Sequence, residues 1–307
     1  MNTQTRRLFI AVATLGVALG VSSVARAGGA PSAEGNAASE DSYTFTTVDV
    51  VDSLGTSVNA NSTHAVAGDF DDADGNTHGF VLRKGVFTQI DVPYPDAIST
   101  SINGINAKGV LAGTYFDDNW RRIHAFTSSN GVFTVLDPPG STESQGGFIN
   151  GRGEVVGGYR DVNNVRHAFL WRKGVFATID PPDGHPTLGP VAFGINNHGN
   201  VVGTYVDPDE NRHGFLLSKG TFTDVDVPDA AYTVAEGISD DGTIVGLYMA
   251  GDGSFHGFVY SDGLYNAIDV PGSTRTYVLS INAAGEIAGN YDDADGLTHG
   301  FVAKPMR

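Results

Sequence analysis

Beyond residue 41 the chain alternates apolar and polar positions with period two, in short runs broken by glycine. The pattern is clearest from His78 to Pro93. His78, Phe80 and Leu82 alternate with Gly79, Val81 and Arg83, Lys84-Gly85 interrupts, and Val86 to Ile90 resumes. Alternation on both sides of a two-residue break predicts a β-hairpin, with the turn glycine at positive φ. Closing that turn sets Arg83 opposite Val86 and His78 opposite Asp91. Cross-strand partners have Cβ atoms about 5 Å apart, so the two side chains can meet in a charge-assisted hydrogen bond.

The construction recurs. His124 and Asp137 flank Asn130-Gly131, His167 and Asp180 flank Lys173-Gly174, His213 and Asp226 flank Lys219-Gly220, and His256 and Asp269 flank Asp262-Gly263. A sixth histidine, His299, follows the same spacing. Upstream of each is a second hairpin, such as Ile105-Asn106 leading to Val110 through Tyr115, or Ile195-Asn196 leading to Val201 through Tyr205. Each unit therefore holds four short strands, a to d, in about 44 residues, the size of a β-propeller blade. The residue after each histidine is Gly or Ala (Gly79, Ala125, Ala168, Gly214, Gly257, Gly300), which predicts close approach of a neighbouring blade. The residue two after it is always Phe, which predicts an inter-blade core.

The ends set the architecture. The last unit stops after Phe301 and Val302 without a fourth strand, whereas Tyr43 to Asp49 reads as a fourth strand with no hairpin before it. Laid on the last unit, it supplies Asp49 as the partner of His299. The expected fold is an all-β six-bladed propeller of four-stranded blades over residues 42–303, closed by its N-terminal strand.

The pattern I-N-x-x-G-x-x-x-G-x-Y, H-[GA]-F and G-x-F-x-x-I-D-x-P, repeated through residues 43–302, resembles the HAF repeats of exported bacterial proteins. The resemblance implies an extracellular repeat domain. It supplies no catalytic residues, because that family is defined by its repeat.

Composition fits an exported chain. Arg6-Arg7, the apolar run from Leu8 to Val24 and the small-x-small site Ala25-Arg26-Ala27 read as a signal peptide over residues 1–27, of the Sec or twin-arginine type. Residues 28–41 are small and polar, a flexible linker. Loss of residues 1–27 removes three arginines and no acid, carrying the net charge from −17 to −20. That balance argues against nucleic acid as a partner. There is no cysteine, so the fold relies on packing without disulfides or a lipid anchor. The C-terminus carries no apolar tail, and the expectation is a released, monomeric protein, secreted or periplasmic.

Three groups of residues are candidates for chemistry. His–Asp pairs make two-thirds of a hydrolase triad, but equivalent pairs in every blade without a recurring Ser or Cys read as a device that ties strands. The b–c loops of blades 1 and 6 carry Asp71-Asp72-Ala73-Asp74-Gly75 and Asp292-Asp293-Ala294-Asp295-Gly296, so Asp72, Asp74, Asp293 and Asp295 are candidate calcium ligands. Phe70 and Tyr291 stand where a calcium loop would place its first acid, and short Asp-rich hairpins also bond their own backbone. The b–c loops of blades 2 to 4 instead gather Trp120, Arg121, Arg122, Arg160, Arg166 and Arg212. Arginine holds carboxylates bidentately and tryptophan stacks on sugar rings, so these are candidate ligand contacts. The expectation is a binding or scaffolding module for an extracellular glycan or protein, without a cofactor. The alternative is a polysaccharide lyase or hydrolase at the channel mouth, with His185 or Arg166 as the reacting group.

Overall fold

The computed structural model describes residues 43–117, 122–185 and 187–306. The signal-like segment and the linker lie outside these residues. Every described element is a β-strand. β1 (Tyr43–Val48) comes first. Blade 1 is β2 (Gly55–Ser62), β3 (Ala65–Asp71), β4 (Thr77–Arg83) and β5 (Val86–Ile90). Blade 2 is β6 (Ser99–Ile105), β7 (Leu111–Phe116), β8 (Ile123–Ser129) and β9 (Val132–Val135). Blade 3 is β10 (Ser141–Ile149), β11 (Val155–Asp161), β12 (Arg166–Arg172) and β13 (Val175–Ile179). Blade 4 is β14 (Val191–Ile195), β15 (Val201–Val206), β16 (Arg212–Ser218) and β17 (Thr221–Asp224). Blade 5 is β18 (Tyr232–Ile238), β19 (Ile244–Met249), β20 (Phe255–Ser261) and β21 (Leu264–Ile268). Blade 6 is β22 (Arg275–Ile281), β23 (Ile287–Asp292) and β24 (Thr298–Pro305).

Each blade is a four-stranded antiparallel meander, and β1 completes blade 6 against β24. The fold is a six-bladed propeller closed by its N-terminal strand, as the repeats predict. The closing pair runs two residues further than the sequence implies, to Tyr43 opposite Pro305.

The c–d turns follow from their residues. Lys84 and Gly85 sit at φ 50° and 77°, and Asn130-Gly131, Lys173-Gly174, Lys219-Gly220 and Asp262-Gly263 share that geometry. Two consecutive positive φ values match the strand twist, the arrangement tight hairpins favour. The register that results puts Arg83 opposite Val86 and Gly79 opposite Ile90.

Blades pack through the small position and the phenylalanine. Phe80, Phe126, Phe169, Phe215, Phe258 and Phe301 are all fully buried. A Cβ on Gly79 would lie 2.9 Å from Ile102 of blade 2, and one on Gly300 only 2.4 Å from Val58 of blade 1. An amide ladder adds polar links between blades. Asn106 Nδ2 donates to Asn150 O, Asn150 to Asn196 O and Asn196 to Ser239 O, each at 3.0 Å. Blade 5 carries Ser239 at that position, and its hydroxyl turns back to Asp241. Every strand a also holds a β-bulge near the channel. At two of them Asn59 and Asn103 reach the backbone of the next blade, donating to Ile102 O and Gly146 O.

Candidate functional site

The His–Asp pairs form in all six blades, with His Nδ1 2.7–3.1 Å from the carboxylate. The sequence reading missed a second partner. His78 Nε2 lies 3.2 Å from Asp72, His299 Nε2 3.2 Å from Asp293 and His213 Nε2 3.4 Å from Asp207. These acids stand six residues before their histidine, on the b–c loop. Two flanking carboxylates favour the charged form of the ring. Partial burial alone would lower the pKa of His78, His213 and His299, but the two carboxylates on each outweigh it and raise all three. A tyrosine or phenylalanine of strand b covers the ring, as Tyr115 covers His124 at 4.9 Å. The clamp joins strands b, c and d of each blade.

Blade 5 departs from this. Ser254 Oγ lies 2.7 Å from His256 Nε2, and His256 Nδ1 lies 2.9 Å from Asp269. That is the connectivity of a hydrolase triad. The serine hydroxyl, however, also lies 2.6 Å from Asp252 Oδ1, and this bond is the main cause of a lowered Asp252 pKa. Its proton is therefore given to a carboxylate, and the serine relays His256 to Asp252 instead of serving as an activated nucleophile.

In the Asp-rich loops, Asp72 Oδ1 accepts the backbone N–H groups of Asp74 and Asn76, and Oδ2 accepts Asn76 Nδ2 and His78 Nε2. Asp293 repeats this with Asp295, Leu297 and His299. Hydrogen bonds from Asn76 and other neighbours hold the Asp72 carboxyl at a pKa of about 2. Asp72 and Asp293 are thus committed to their turns and their histidines. Among the described residues no cluster of three or more His, Asp or Glu side chains is grouped to hold a metal ion.

The basic candidates divide. Trp120 and Arg121 lie outside the described residues. Arg122 is exposed, and its backbone closes the b–c loop through Asp117 Oδ1 at 2.7 Å. Arg160, Arg166 and Arg212 are brought together. Arg160 and Arg166 are direct cross-strand partners in β11 and β12, and Arg212 of blade 4 lies within electrostatic reach of Arg166. Arg160 Nε meets Glu143 Oε1 at 2.8 Å. The arc continues where the sequence reading stopped. Arg212 acts electrostatically on Tyr232, and Tyr232 on Tyr277 and Arg275. Arg275 sits 5.4 Å over the Phe255 ring, and Phe255 also packs on Tyr232 and Tyr277. These groups lie at the b–c ends of blades 3 to 6. The signal for the missed residues is positional. Tyr232 and Arg275 open strand a in their blades, at the place of Gly55 and Ser99 in blades 1 and 2.

His185 lies beside this arc, in the connection between blades 3 and 4. Its backbone N–H donates to Val206 O at 2.6 Å, and its Nδ1 accepts the N–H groups of Thr187 and Leu188. Backbone N–H groups can only donate, so Nδ1 serves as an acceptor within its own loop. On the opposite face a hollow of about 670 Å³ is lined by Arg172, His198, Asn200 and Lys219.

Two buried acids sit at strand-a bulges, Asp69 of β3 against the bulge residue Asn59 and Glu236 within the bulge of β18. Asp69 takes bonds from Asn59 and Ser101, and burial still pushes its pKa up to about 6. Glu236 is 1% exposed, and its Oε1 has no hydrogen-bond partner among the described residues. Desolvation lifts its pKa to about 8.

No family model and no curated protein matches the chain. Solved structures do. SapL1 lectin in complex with alpha methyl fucoside aligns with TM-score 0.55 at 10% identity, over 83% of this chain and 94% of that one. A mutant of the Aleuria aurantia lectin, also with an alpha-methyl-L-fucoside, aligns with TM-score 0.51 at 10% identity, over 85% and 96%. TolB from Acinetobacter baumannii aligns with TM-score 0.52 at 11% identity, over 80% and 64%. At such identities the likeness is one of fold.

Proposed function

We propose that the protein is a non-catalytic glycan-binding propeller that acts outside the cytoplasm, with its ligand on the arc from Arg160 to Phe255. The observation that carries this reading is the arc itself. In a chain of net charge −17, one face gathers Arg160, Arg166, Arg212 and Arg275 with Tyr232, Phe255 and Tyr277. Arginine forks and aromatic faces are what recognition of hydroxylated, partly charged rings requires. The lectins among the fold neighbours bind fucosides on the same architecture, which supports a sugar ligand and does not identify it. The signal-like N-terminus and the likeness to HAF repeats support an extracytoplasmic site of action.

The non-catalytic reading rests on the candidates for chemistry. His185 has its Nδ1 occupied by backbone donors, and Ser254 gives its proton to Asp252. The test is chromatography of the protein with a panel of acidic and neutral polysaccharides, following both components. Co-elution with polymer of unchanged length is the expected result. The double variant Arg212→Ala, Tyr232→Ala should weaken that binding at least about tenfold, the loss of one charge-assisted bond. Shortened polymer would replace this reading with a lyase or hydrolase.

A further inference from the structure

Arg160 and Arg166 stand directly opposite each other on β11 and β12. Like charges in that position repel, so an antiparallel pair normally avoids them. Arg160 is compensated: Nε holds Glu143 at 2.8 Å and Nη1 donates to Asn164 O at 3.1 Å. Arg166 is not. Its backbone N–H reaches Thr187 O, but its side chain makes no hydrogen bond or ion pair to a described residue. The guanidinium is half-buried. Burial first, then Arg160 and Arg212, pull its pKa down to about 10, and Glu143 opposes them only in part.

A cation kept in this state, beside two others, is a site prepared for an anion. The chain positions it with care. Gly189 passes so close that a Cβ there would lie 2.0 Å from Arg166 O, so the connection between blades 3 and 4 is packed against the backbone of Arg166. The neighbours decide which anion. Past Arg212, the arc turns aromatic at Tyr232, Tyr277 and Phe255, surface suited to the apolar face of a pyranose and of no use to a bare inorganic ion. A planar carboxylate matches the guanidinium fork, with two parallel N–H···O bonds.

We infer that Arg166 receives the carboxylate of a uronic acid residue, in an acidic saccharide that lies along the arc toward Tyr232. This rests on the glycan-binding function proposed above and adds its charge class and its anchor.

The experiment compares oligosaccharides of one backbone in two charge states. Oligogalacturonate, oligomannuronate and oligoglucuronate are titrated against their methyl esters by calorimetry, on the wild-type chain, Arg166→Gln and Arg166→Lys. At least one acid form should bind wild type tenfold or more tighter than its ester. Arg166→Gln should erase that difference by bringing acid binding down to the level of the ester, and Arg166→Lys should restore only part of it. Relief of the like-charge pair predicts that Arg166→Gln melts no lower than wild type, so loss of binding is not loss of fold. Acid and ester forms binding wild type equally, or an undiminished acid preference in Arg166→Gln, would overturn the inference and leave the glycan reading standing. If neither charge state binds for any backbone, and none of the neutral polysaccharides co-elutes, the glycan reading falls and this inference falls with it. Competition by acetate as strong as by the oligouronates would reassign Arg166 to small carboxylates and refute the saccharide.

Discussion

His299 Nδ1 lies 3.0 Å from Asp49 Oδ2 across 250 residues of sequence. It is the same contact that His167 makes to Asp180 within one hairpin, at 2.9 Å. In blade 6 it also fastens the closing strand. Both carboxylates are more than a third exposed, so each pair contributes about 1 kcal/mol or less. Asp49→Ala and Asp180→Ala should therefore lower the urea midpoint by similar small amounts. They should differ in where the protein opens. Amide exchange in β1 and β24 should accelerate in Asp49→Ala alone, because that pair guards the ring closure. Equal exchange in both variants would mean that closure rests on the Phe45–Phe301 contact and the backbone ladder.

The clamp histidines make stability depend on pH. The folded pKa values of His78, His213 and His299 stand above the ordinary 6.5. Their contribution is complete below the unfolded value and is lost as pH rises through the folded ones. Titration of the imidazole protons by NMR should place these three rings above their unfolded values. Asp72→Asn should return His78 toward its ordinary range without moving His213. An unmoved His78 would show that Asp91 alone sets its charge.

Glu236 acts in the same direction for a different reason. Its carboxyl is neutral in the fold up to about pH 8, whereas the unfolded chain ionises near 4.5. Stability therefore declines between those values, by about 1.4 kcal/mol per pH unit. Glu236→Gln keeps the shape without the ionisation. It should be neutral at pH 4 and stabilising by about 3 kcal/mol at pH 7, read from urea midpoints. No gain at pH 7 would mean that the carboxyl is solvated. The variant also isolates the histidine contribution, since the decline that remains above pH 6.5 belongs to the clamps.

The blades were legible because hairpin pairing follows from a two-residue turn and period two. Once Lys84-Gly85 is a turn, Asp91 has no other place than opposite His78. The second carboxylate on His78 was not legible in that way. Asp72 reaches Nε2 across a loop whose conformation is not set by strand periodicity. Glu236 escaped for a related reason: it sits at a bulge, where alternation fails and the direction of a side chain cannot be counted off. The arc escaped in part. Arg160, Arg166 and Arg212 stood out as departures from the repeat. Tyr232 and Arg275 depart as well, but their place beside the same face needs the curvature of the ring.

The glycines give a sharp contrast between two substitutions of the same kind. Gly246 opens the G-x-Y element of blade 5. A Cβ there would lie 2.0 Å from Val234 O and 2.8 Å from the Phe258 ring. The first is the backbone of the adjacent strand and the second a fully buried core ring, so neither can yield without separating β18 from β19 or repacking the blade. At Gly300 the added methyl would meet the tip of Val58 at 2.4 Å and Val48 O at 2.9 Å. Blades 2 and 3 carry Ala125 and Ala168 at that same position, fully buried, so the architecture tolerates a methyl there after small shifts between blades. Gly300→Ala should cost about 1–3 kcal/mol and leave a cooperative unfolding transition. Gly246→Ala should cost more than about 3 kcal/mol, enough to remove soluble folded protein or to broaden the transition. The two are compared by thermal melting and by the exchange of amides in blade 5. Equal costs would show that the spacing between blades is as rigid as the approach of strands a and b.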